Sequence, residues 1–153
     1  MRFILLLGGL LLIAVVSWGQ NPTKINDLVF GSMYPGIPKV IDKTTAGEAA
    51  EFHISGNPGD EVIVTFTLPT YLYQSGYNYQ LSFSNTDLSL DTSATPSQSS
   101  PMVNNLNPWV AQTYRLGSTG MTLWLGGVAI PKLVQQSGSY SATITLTVDT
   151  TGN

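Results

Sequence analysis

The segment YSATITLTV, residues 140–148, decides the fold of this chain. Its even-numbered residues are apolar or aromatic, and its odd-numbered residues are Ser or Thr. Since successive side chains of a β-strand point to opposite faces, this pattern predicts a strand with one buried face and one polar face. A slip of one residue would bury every hydroxyl, so the pattern also fixes which face is buried. We expect the core face to carry Ala142, Ile144, Leu146 and Val148.

The rest of the chain shows the same two-residue period and almost no helical pattern. Alternation is clear over residues 49–55 and 62–68, and Pro69 ends the second of these runs. Two Tyr-rich runs, 71–73 and 77–83, flank the short Gln-Ser-Gly segment 74–76 and predict a β-hairpin.

Weaker runs complete the pattern. Residues 25–33, 38–42 and 88–91 read as short strands, and 121–130 reads as a strand with a bulge or kink at its Gly-Gly pair. Residues 92–108 contain three Pro and many Ser and Asn, and therefore predict a long loop.

Seven to nine short strands joined by Gly, Pro and Asn turns predict an all-β fold. An antiparallel sheet that is exposed to solvent on one face explains the alternation, and a Greek-key β-sandwich fits this pattern best. A small barrel is the alternative, but the irregular spacing of the Gly and Pro breaks disfavours it. The chain shows no internal repeat, which argues against a solenoid or a propeller.

Residues 1–19 predict a cleaved signal peptide. Arg2 supplies a positive start, residues 3–16 are uncharged and largely apolar, and Ser17 and Gly19 are small residues at the positions that a signal peptidase reads. A membrane anchor is the alternative, but it needs about 20 apolar residues, and polar sequence follows here at once. We therefore expect one domain over residues 20–153, secreted, periplasmic or at the cell surface, with no stable membrane insertion after cleavage.

Composition excludes several classes of function. Of the 153 residues, nine are acidic and six are Lys or Arg, and the loss of Arg2 with the signal peptide leaves five bases. An acidic chain with few charges lacks the basic patch that nucleic-acid binding requires. The absence of Cys excludes disulfides, thiolate metal ligands and lipid attachment at a cysteine.

The catalytic inventory is small, and we predict no catalytic, cofactor or metal site. His53 is the only His, and no Gly-x-Ser-x-Gly motif accompanies it, so a strand-surface His is the simplest interpretation. Asp87 and Asp91 share one face of a weak strand, which suits Ca²⁺ or a hydrolytic pair of carboxylates. Spaced surface acids are far commoner than either kind of site.

The tyrosines of the predicted hairpin are the candidate ligand platform. Tyr71 and Tyr73 lie on one side of its loop and Tyr77 and Tyr79 on the other, each pair on one strand face. Aromatic rings stack on sugars, so the predicted ligand is a glycan. Cross-strand pairing that only stabilises the hairpin is the alternative interpretation. Three other aromatic residues are expected in the core or at its edge: Trp109, Tyr114 and Trp124.

Several motifs resemble a family of secreted bacterial domains of unknown function. Those domains are Ig-like sandwiches related to chaperone–usher fimbrial subunits and spore-coat-type pilins. The resemblance covers both ends of the mature chain and is poor over residues 71–119. The motifs are Leu28-Val29-Phe30-Gly31, Tyr34-Pro35-Gly36, Phe52-His53-Ile54-Ser55-Gly56-Asn57-Pro58-Gly59, Val62-Ile63-Val64 to Leu68-Pro69, Leu125-Gly126-Gly127, and the final strand from Gly138 to Val148.

The resemblance implies a non-catalytic, fimbria-like structural or interaction module of the cell surface, whose partners are other surface or fimbrial subunits joined by strand addition. Fimbrial subunits commonly carry an aromatic residue beside the C-terminus, whereas this chain ends Thr-Thr-Gly-Asn. That departure argues against recognition by a dedicated chaperone.

A soluble carbohydrate-binding or adhesive domain is the alternative function, and the N-terminus helps to discriminate. Donating a strand to a neighbour requires a free segment of about a dozen residues. Only five residues, Gln20 to Lys24, precede the first predicted strand. Either residues 25–33 are themselves donated, or the domain is complete and monomeric, which we favour.

Overall fold

Every regular element that the computed structural model describes, over residues 9–17 and 20–152, is a β-strand. In chain order the strands are Gly9–Ser17 (β1), Asn21–Asn26 (β2), Lys39–Ile41 (β3), Ala50–Ser55 (β4), Glu61–Thr67 (β5), Tyr71–Gln74 (β6), Tyr77–Ser82 (β7), Leu88–Asp91 (β8), Val103–Leu106 (β9), Gln112–Arg115 (β10), Met121–Leu125 (β11), Gly127–Ile130 (β12) and Tyr140–Thr150 (β13).

The strands form two sheets that pack as a β-sandwich, which confirms the all-β fold predicted from the alternation. Sheet A joins β10, β5, β13, β6, β7, β12 and β3, with β1 added beside β13, and sheet B has the order β2-β4-β11-β8-β9. The strands within both sheets pair antiparallel, except that β1 runs parallel to β13.

The core lies between the sheets, where the sequence pattern predicts it. Strand β13 buries Ile144, Leu146 and Val148 completely, with Ala142 half-buried at the core margin. The matching face of sheet B is equally apolar. Its fully buried inward residues are Ala50, Phe52, Ile54, Leu88, Met121, Leu123 and Leu125.

The predicted hairpin is confirmed, and its turn has a local cause. Strands β6 and β7 pair from Tyr71 opposite Gln80 to Gln74 opposite Tyr77. The two loop residues, Ser75 and Gly76, both have positive φ, at 44° and 85°. Two consecutive positive values are typical of the tight turn whose twist matches that of the flanking strands.

The Gly-Gly pair at 126–127 marks a crossing between the two sheets and not the bulge that the sequence predicts. The chain leaves sheet B after Leu125 and enters sheet A at Gly127, so the predicted strand 121–130 is two strands in different sheets. A Cβ at Gly126 would lie 2.5 Å from the Ile41 carbonyl oxygen. The close approach of two backbones at this crossing therefore requires glycine.

Two further predictions are corrected, and one strand was not predicted. The predicted loop 92–108 contains β9, which pairs with β8. The first strand after the signal peptide covers Asn21–Asn26, whereas residues 27–33 contribute buried side chains without a regular strand. Strand β10 was not predicted, because its sequence has no apolar alternation.

The predicted signal cleavage after Gly19 lies outside the described residues. Within the described ranges, no helix is long and apolar enough to cross a membrane.

Candidate functional site

The outward face of sheet A carries two exposed tyrosines on β6. Tyr71 and Tyr73 are 41% and 54% exposed. Their ring centroids lie 6.2 Å apart, with the ring planes tilted by 55°. Tyr71 is opposite Gln80 in the sheet, and Tyr73 is flanked by Asn78 on one side and Ser141 on the other. The rings therefore lie beside amide and hydroxyl groups, and this combination is typical of protein surfaces that bind sugars.

The other two tyrosines of the predicted platform do not join this pair. Tyr79 is fully buried, and its ring centroid lies 4.7 Å from that of Tyr140 in the core. Tyr77 is exposed at the hairpin tip, but it is two residues from Tyr79 and therefore projects from the core side of β7. The predicted platform is thus corrected to Tyr71 and Tyr73.

The two core tyrosines differ in how their hydroxyls are satisfied. The Tyr140 hydroxyl donates to the Gln136 carbonyl oxygen and accepts from the Gln135 amide. The Tyr79 hydroxyl has no hydrogen-bond partner among the described residues. Burial, and secondarily the neighbouring Tyr140, raise the pKa of Tyr79 well above its usual range. Tyr79 is therefore a neutral core residue at any physiological pH.

A second candidate site is a backbone edge rather than a set of side chains. Residues 145–148 of β13 pair on one side with residues 64–67 of β5. The same four residues pair on the other side with residues 14–17 of β1. Farther along, Ser141 pairs with both Tyr73 and Leu10. Because a strand has only two edges, β5 and β6 share one edge of β13, and β1 covers the other.

The β1 side of β13 is therefore closed by a segment of the predicted signal peptide. The pairing is in register over nine residues, from Gly9 opposite Tyr140 to Ser17 opposite Val148. Removal of residues 1–19 would leave this edge of β13 without a neighbour among the described residues. This edge was not predicted from the sequence, although the absence of charge over residues 140–148 is a signal of it.

The outermost strands elsewhere in the sandwich carry features that discourage pairing with another chain. In sheet A, β3 has only three residues and includes Lys39, and β10 has four residues and includes Arg115. In sheet B, β2 carries Pro22 and Lys24, and β9 has only four residues, one of them Asn105 with positive φ. Short strands, prolines and charges are the usual protection of exposed edges.

The outward face of sheet B is covered, unlike that of sheet A. Asp91 is 3% exposed and points away from the core, since its neighbour Leu90 points inward. Its carboxylate accepts hydrogen bonds from the backbone N–H groups of Ser93 at 2.8 Å and Ser97 at 3.1 Å. The Gln98 amide donates to the Lys43 carbonyl oxygen at 2.8 Å. These contacts hold the segment after β8 against sheet B.

The acidic residues considered as metal ligands or catalysts serve as local caps. Asp87 accepts from both the backbone N–H and the hydroxyl of Ser84 at 2.7 Å, and Asp91 binds the covering segment. His53 Nδ1 is 3.2 Å from the Thr122 hydroxyl. Within the described ranges, no group of three or more His, Cys, Asp or Glu side chains is placed to hold a metal ion.

A shallow pocket of about 280 Å³ lies near the end of β13, lined by Asp60, Glu61, Thr150 and Gly152. Both of its acids are already engaged. Asp60 accepts from the Asn57 N–H at 3.2 Å, and Glu61 pairs with Arg115 at 3.4 Å. The pocket therefore presents little free charge to a ligand.

Comparison with known proteins does not add to this geometry. No protein-family model matches the chain, and a search of curated proteins found no match. The exposed tyrosine pair and the β13 edge are therefore the two features of the molecule that indicate a function.

Proposed function

We propose that this chain is an exported, non-catalytic structural or interaction module of the bacterial cell surface, fimbria-like in that it joins partners by strand addition at the β13 edge. One observation carries the proposal. The segment that closes this edge, Gly9–Ser17, belongs to the signal peptide that the sequence predicts to be removed.

The chemistry of the edge supports strand addition. An open strand edge presents a row of N–H and C=O groups that an extended peptide can bind. Residues 140–148 carry no charge and no Pro, so nothing on them opposes such pairing. We propose further that the sandwich is an Ig-like Greek key comprising residues 20–153. The crossing from sheet B to sheet A at Gly126 is in keeping with that topology.

A synthetic peptide of residues 9–17 tests the proposal directly. The peptide carries a C-terminal tail of lysines for solubility and a fluorophore, and is titrated into the exported chain, residues 20–153. We expect saturable binding by fluorescence anisotropy. A scrambled peptide of the same composition and tail is the control for apolar adhesion, and equal binding of the two peptides would refute strand addition.

Two methylated peptides make the test specific for a β-ladder. Only alternate N–H groups of a strand face a given neighbour. One peptide therefore carries N-methyl groups at residues 10, 12, 14 and 16, and the other at residues 11, 13, 15 and 17. We expect one set of methyl groups to abolish binding and the other to leave it largely intact. Equal loss or equal retention would show that the edge does not accept the peptide as a strand.

The exposed tyrosine pair supports a second candidate function, a carbohydrate-binding or adhesive domain. Tyr71 and Tyr73 provide two ring faces on an otherwise hydroxyl-rich surface. We expect Tyr71→Ala with Tyr73→Ala to abolish any signal of the exported chain on a glycan array. Tyr77→Ala is the matched control, because Tyr77 is similarly exposed but projects from the other face. Loss of signal in the control would refute the platform.

A further inference from the structure

We propose that the strand which pairs with the β13 edge after export is β13 of a second copy of this chain, giving a symmetric antiparallel dimer. The inference rests on the proposed function, because it requires removal of Gly9–Ser17. It goes beyond that function by naming the partner and the pairing geometry.

The exported chain has no described segment of its own that is free to replace β1. Gln20 is 8% exposed, and its side-chain amide lies 3.4 Å from an Asp60 carboxylate oxygen. Strand β2 follows at once and belongs to sheet B, where Asn21 pairs with Ser55. The residues next to the predicted cleavage site are therefore committed to the opposite sheet, and a strand that closes the β13 edge would have to come from another molecule.

A second copy offers one long unprotected edge, which is β13 itself. The outermost strands β3 and β10 are short and carry Lys39 and Arg115, and β2 carries Pro22 and Lys24. Residues 140–148 have none of these features. Among the described strands, β13 is thus the edge best suited to pair with another β13.

The sequence of β13 is complementary to itself when two copies run antiparallel. With Ile144 opposite Ile144, Thr143 of one copy faces Thr145 of the other on the outward face, and Ala142 faces Leu146 on the core face. Thr–Thr and apolar cross-strand pairs are stabilising. The only charged residue of β13, Asp149, lies beyond the nine paired positions, so no like charges oppose one another.

A contact of this kind uses the same patch on both copies. It is therefore closed by its two-fold axis, and it yields a dimer rather than a fibre. A pair of nine-residue strands is a small interface, which places the dimer among weak, concentration-dependent assemblies. Growth beyond a dimer would need a second contact elsewhere on the molecule.

The test is sedimentation equilibrium of the exported chain, residues 20–153, from low micromolar to near-millimolar concentration. We expect the mass to double as concentration rises, and the peptide of residues 9–17 to reverse the doubling by competing for the edge. A mass that stays at one chain would overturn the dimer. If the peptide nevertheless binds, the dimer fails while the proposed function stands.

Charged variants test whether β13 is the contact. Thr143→Lys with Thr145→Lys places like charges directly across the proposed axis, and we expect it to keep the chain monomeric. Thr65→Lys with Thr67→Lys is the matched control. It adds the same charge to the same face of sheet A, but on β5, which lies beside β13 and away from the open edge. A thermal melt of each variant verifies folding.

A variant of opposite charge tests whether the lysine variant is monomeric because of charge repulsion and not because it is unstable. Thr143→Asp with Thr145→Asp is expected to be monomeric alone and to form a one-to-one dimer with the lysine variant. The symmetric β13 contact would be overturned if the mixture of the two variants failed to associate. It would also be overturned if the β5 control dissociated equally, or if the unmodified chain formed fibres.

Discussion

The two sheets of this sandwich differ in the exposure of their outward faces. In sheet B, β8 alternates apolar and polar residues and β11 has Thr122 and Trp124 between its core residues, yet all positions of both strands are buried. In sheet A, β13 alternates in the same way, and the Thr residues opposite its core face remain accessible. Alternation therefore reveals which face meets the core, but not whether the other face meets water.

The difference comes from the segment that follows β8. It turns back over sheet B and is anchored by Asp91 and by the Lys43 carbonyl group. The outward face of sheet B includes two buried polar atoms without a hydrogen-bond partner among the described residues, the Ser89 hydroxyl and the Trp124 indole nitrogen. In the part of the chain that the structure describes, no segment covers Tyr71 and Tyr73 on sheet A, and both remain exposed.

The largest expected effect is at Trp124, on the covered face. The side chain is 2% exposed although it points away from the core. We expect Trp124→Ala to lower the free energy of unfolding by about 3–5 kcal/mol, as for other buried aromatic truncations. Trp109→Ala is the control, because Trp109 is 51% exposed. Denaturant melts compare the two, and equal costs would show that the covering segment does not bury this face in solution.

The next effect distinguishes the two faces of β13. Leu146→Ala should cost about 2–5 kcal/mol, through lost burial and a cavity. Thr145→Ala should cost less than about 1 kcal/mol, as surface changes usually do. Urea titration of both variants checks the pair. If Thr145→Ala is as damaging as Leu146→Ala, both faces of β13 are buried and the contrast between the sheets disappears.

A smaller effect, and one that depends on pH, is expected at Asp91. Burial raises the pKa of this carboxyl, but hydrogen bonds from Ser93, Ser97 and Met102 outweigh it and lower the pKa below the ordinary 3.8. A lowered pKa in the folded state stabilises the protein above pH 3.8, and this stability is lost as the pH falls through the folded value. We expect Asp91→Asn to cost about 1–3 kcal/mol at neutral pH, because the hydrogen bonds to a charged group are weakened.

The pH dependence provides the check on Asp91. The stability difference between the unmodified chain and Asp91→Asn should shrink as the pH falls below 3.8, and it should level off below the lowered pKa of the folded state, where the native carboxyl is also neutral. Thermal melts at neutral and acid pH measure it. A difference that is constant with pH would mean that the charge of Asp91 does not anchor the covering segment.

The smallest effect is expected on the open face of sheet A. Tyr73 is 54% exposed, so Tyr73→Ala should change stability by less than about 1 kcal/mol. Tyr79→Ala, on the adjacent strand of the same hairpin, removes a fully buried ring and should cost about 3–5 kcal/mol. Calorimetric melts of the two variants measure both losses of stability. A large loss in Tyr73→Ala would make this tyrosine a structural residue rather than part of a binding face.

Local patterns predicted the local features of this fold. The period of two residues gave the all-β class and the core face of β13, and the Gln-Ser-Gly segment gave the hairpin. The sequence did not separate the exposed Tyr73 from the buried Tyr79, because both lie in alternating runs and only the assembled sheet decides that Tyr79 packs on Tyr140. The role of Gly126 was missed for a related reason, since a bulge and a crossing between sheets need the same small residue.

The pairing of segments that are distant in the chain could not be predicted from the sequence. The segment after β8 is held by the hydrogen bond from Gln98 to the carbonyl oxygen of Lys43, which is 55 residues away in the chain. The edge closed by β1 depends on pairing between opposite ends of the chain. Neither arrangement leaves a periodic signal, because tertiary contacts between distant segments follow no local period.

The pairing of β13 with β5 also constrains when the protein can fold. Thr67 pairs with Thr145, 78 positions later (145 − 67), in β13, which follows the other described strands. Sheet A therefore cannot form its centre until residues 145–150 have been made, and contacts so far apart in sequence form slowly. A chain that crosses a membrane from its N-terminus would therefore lack the centre of sheet A until β13 had crossed. It would complete its sandwich only after β13 had emerged on the far side.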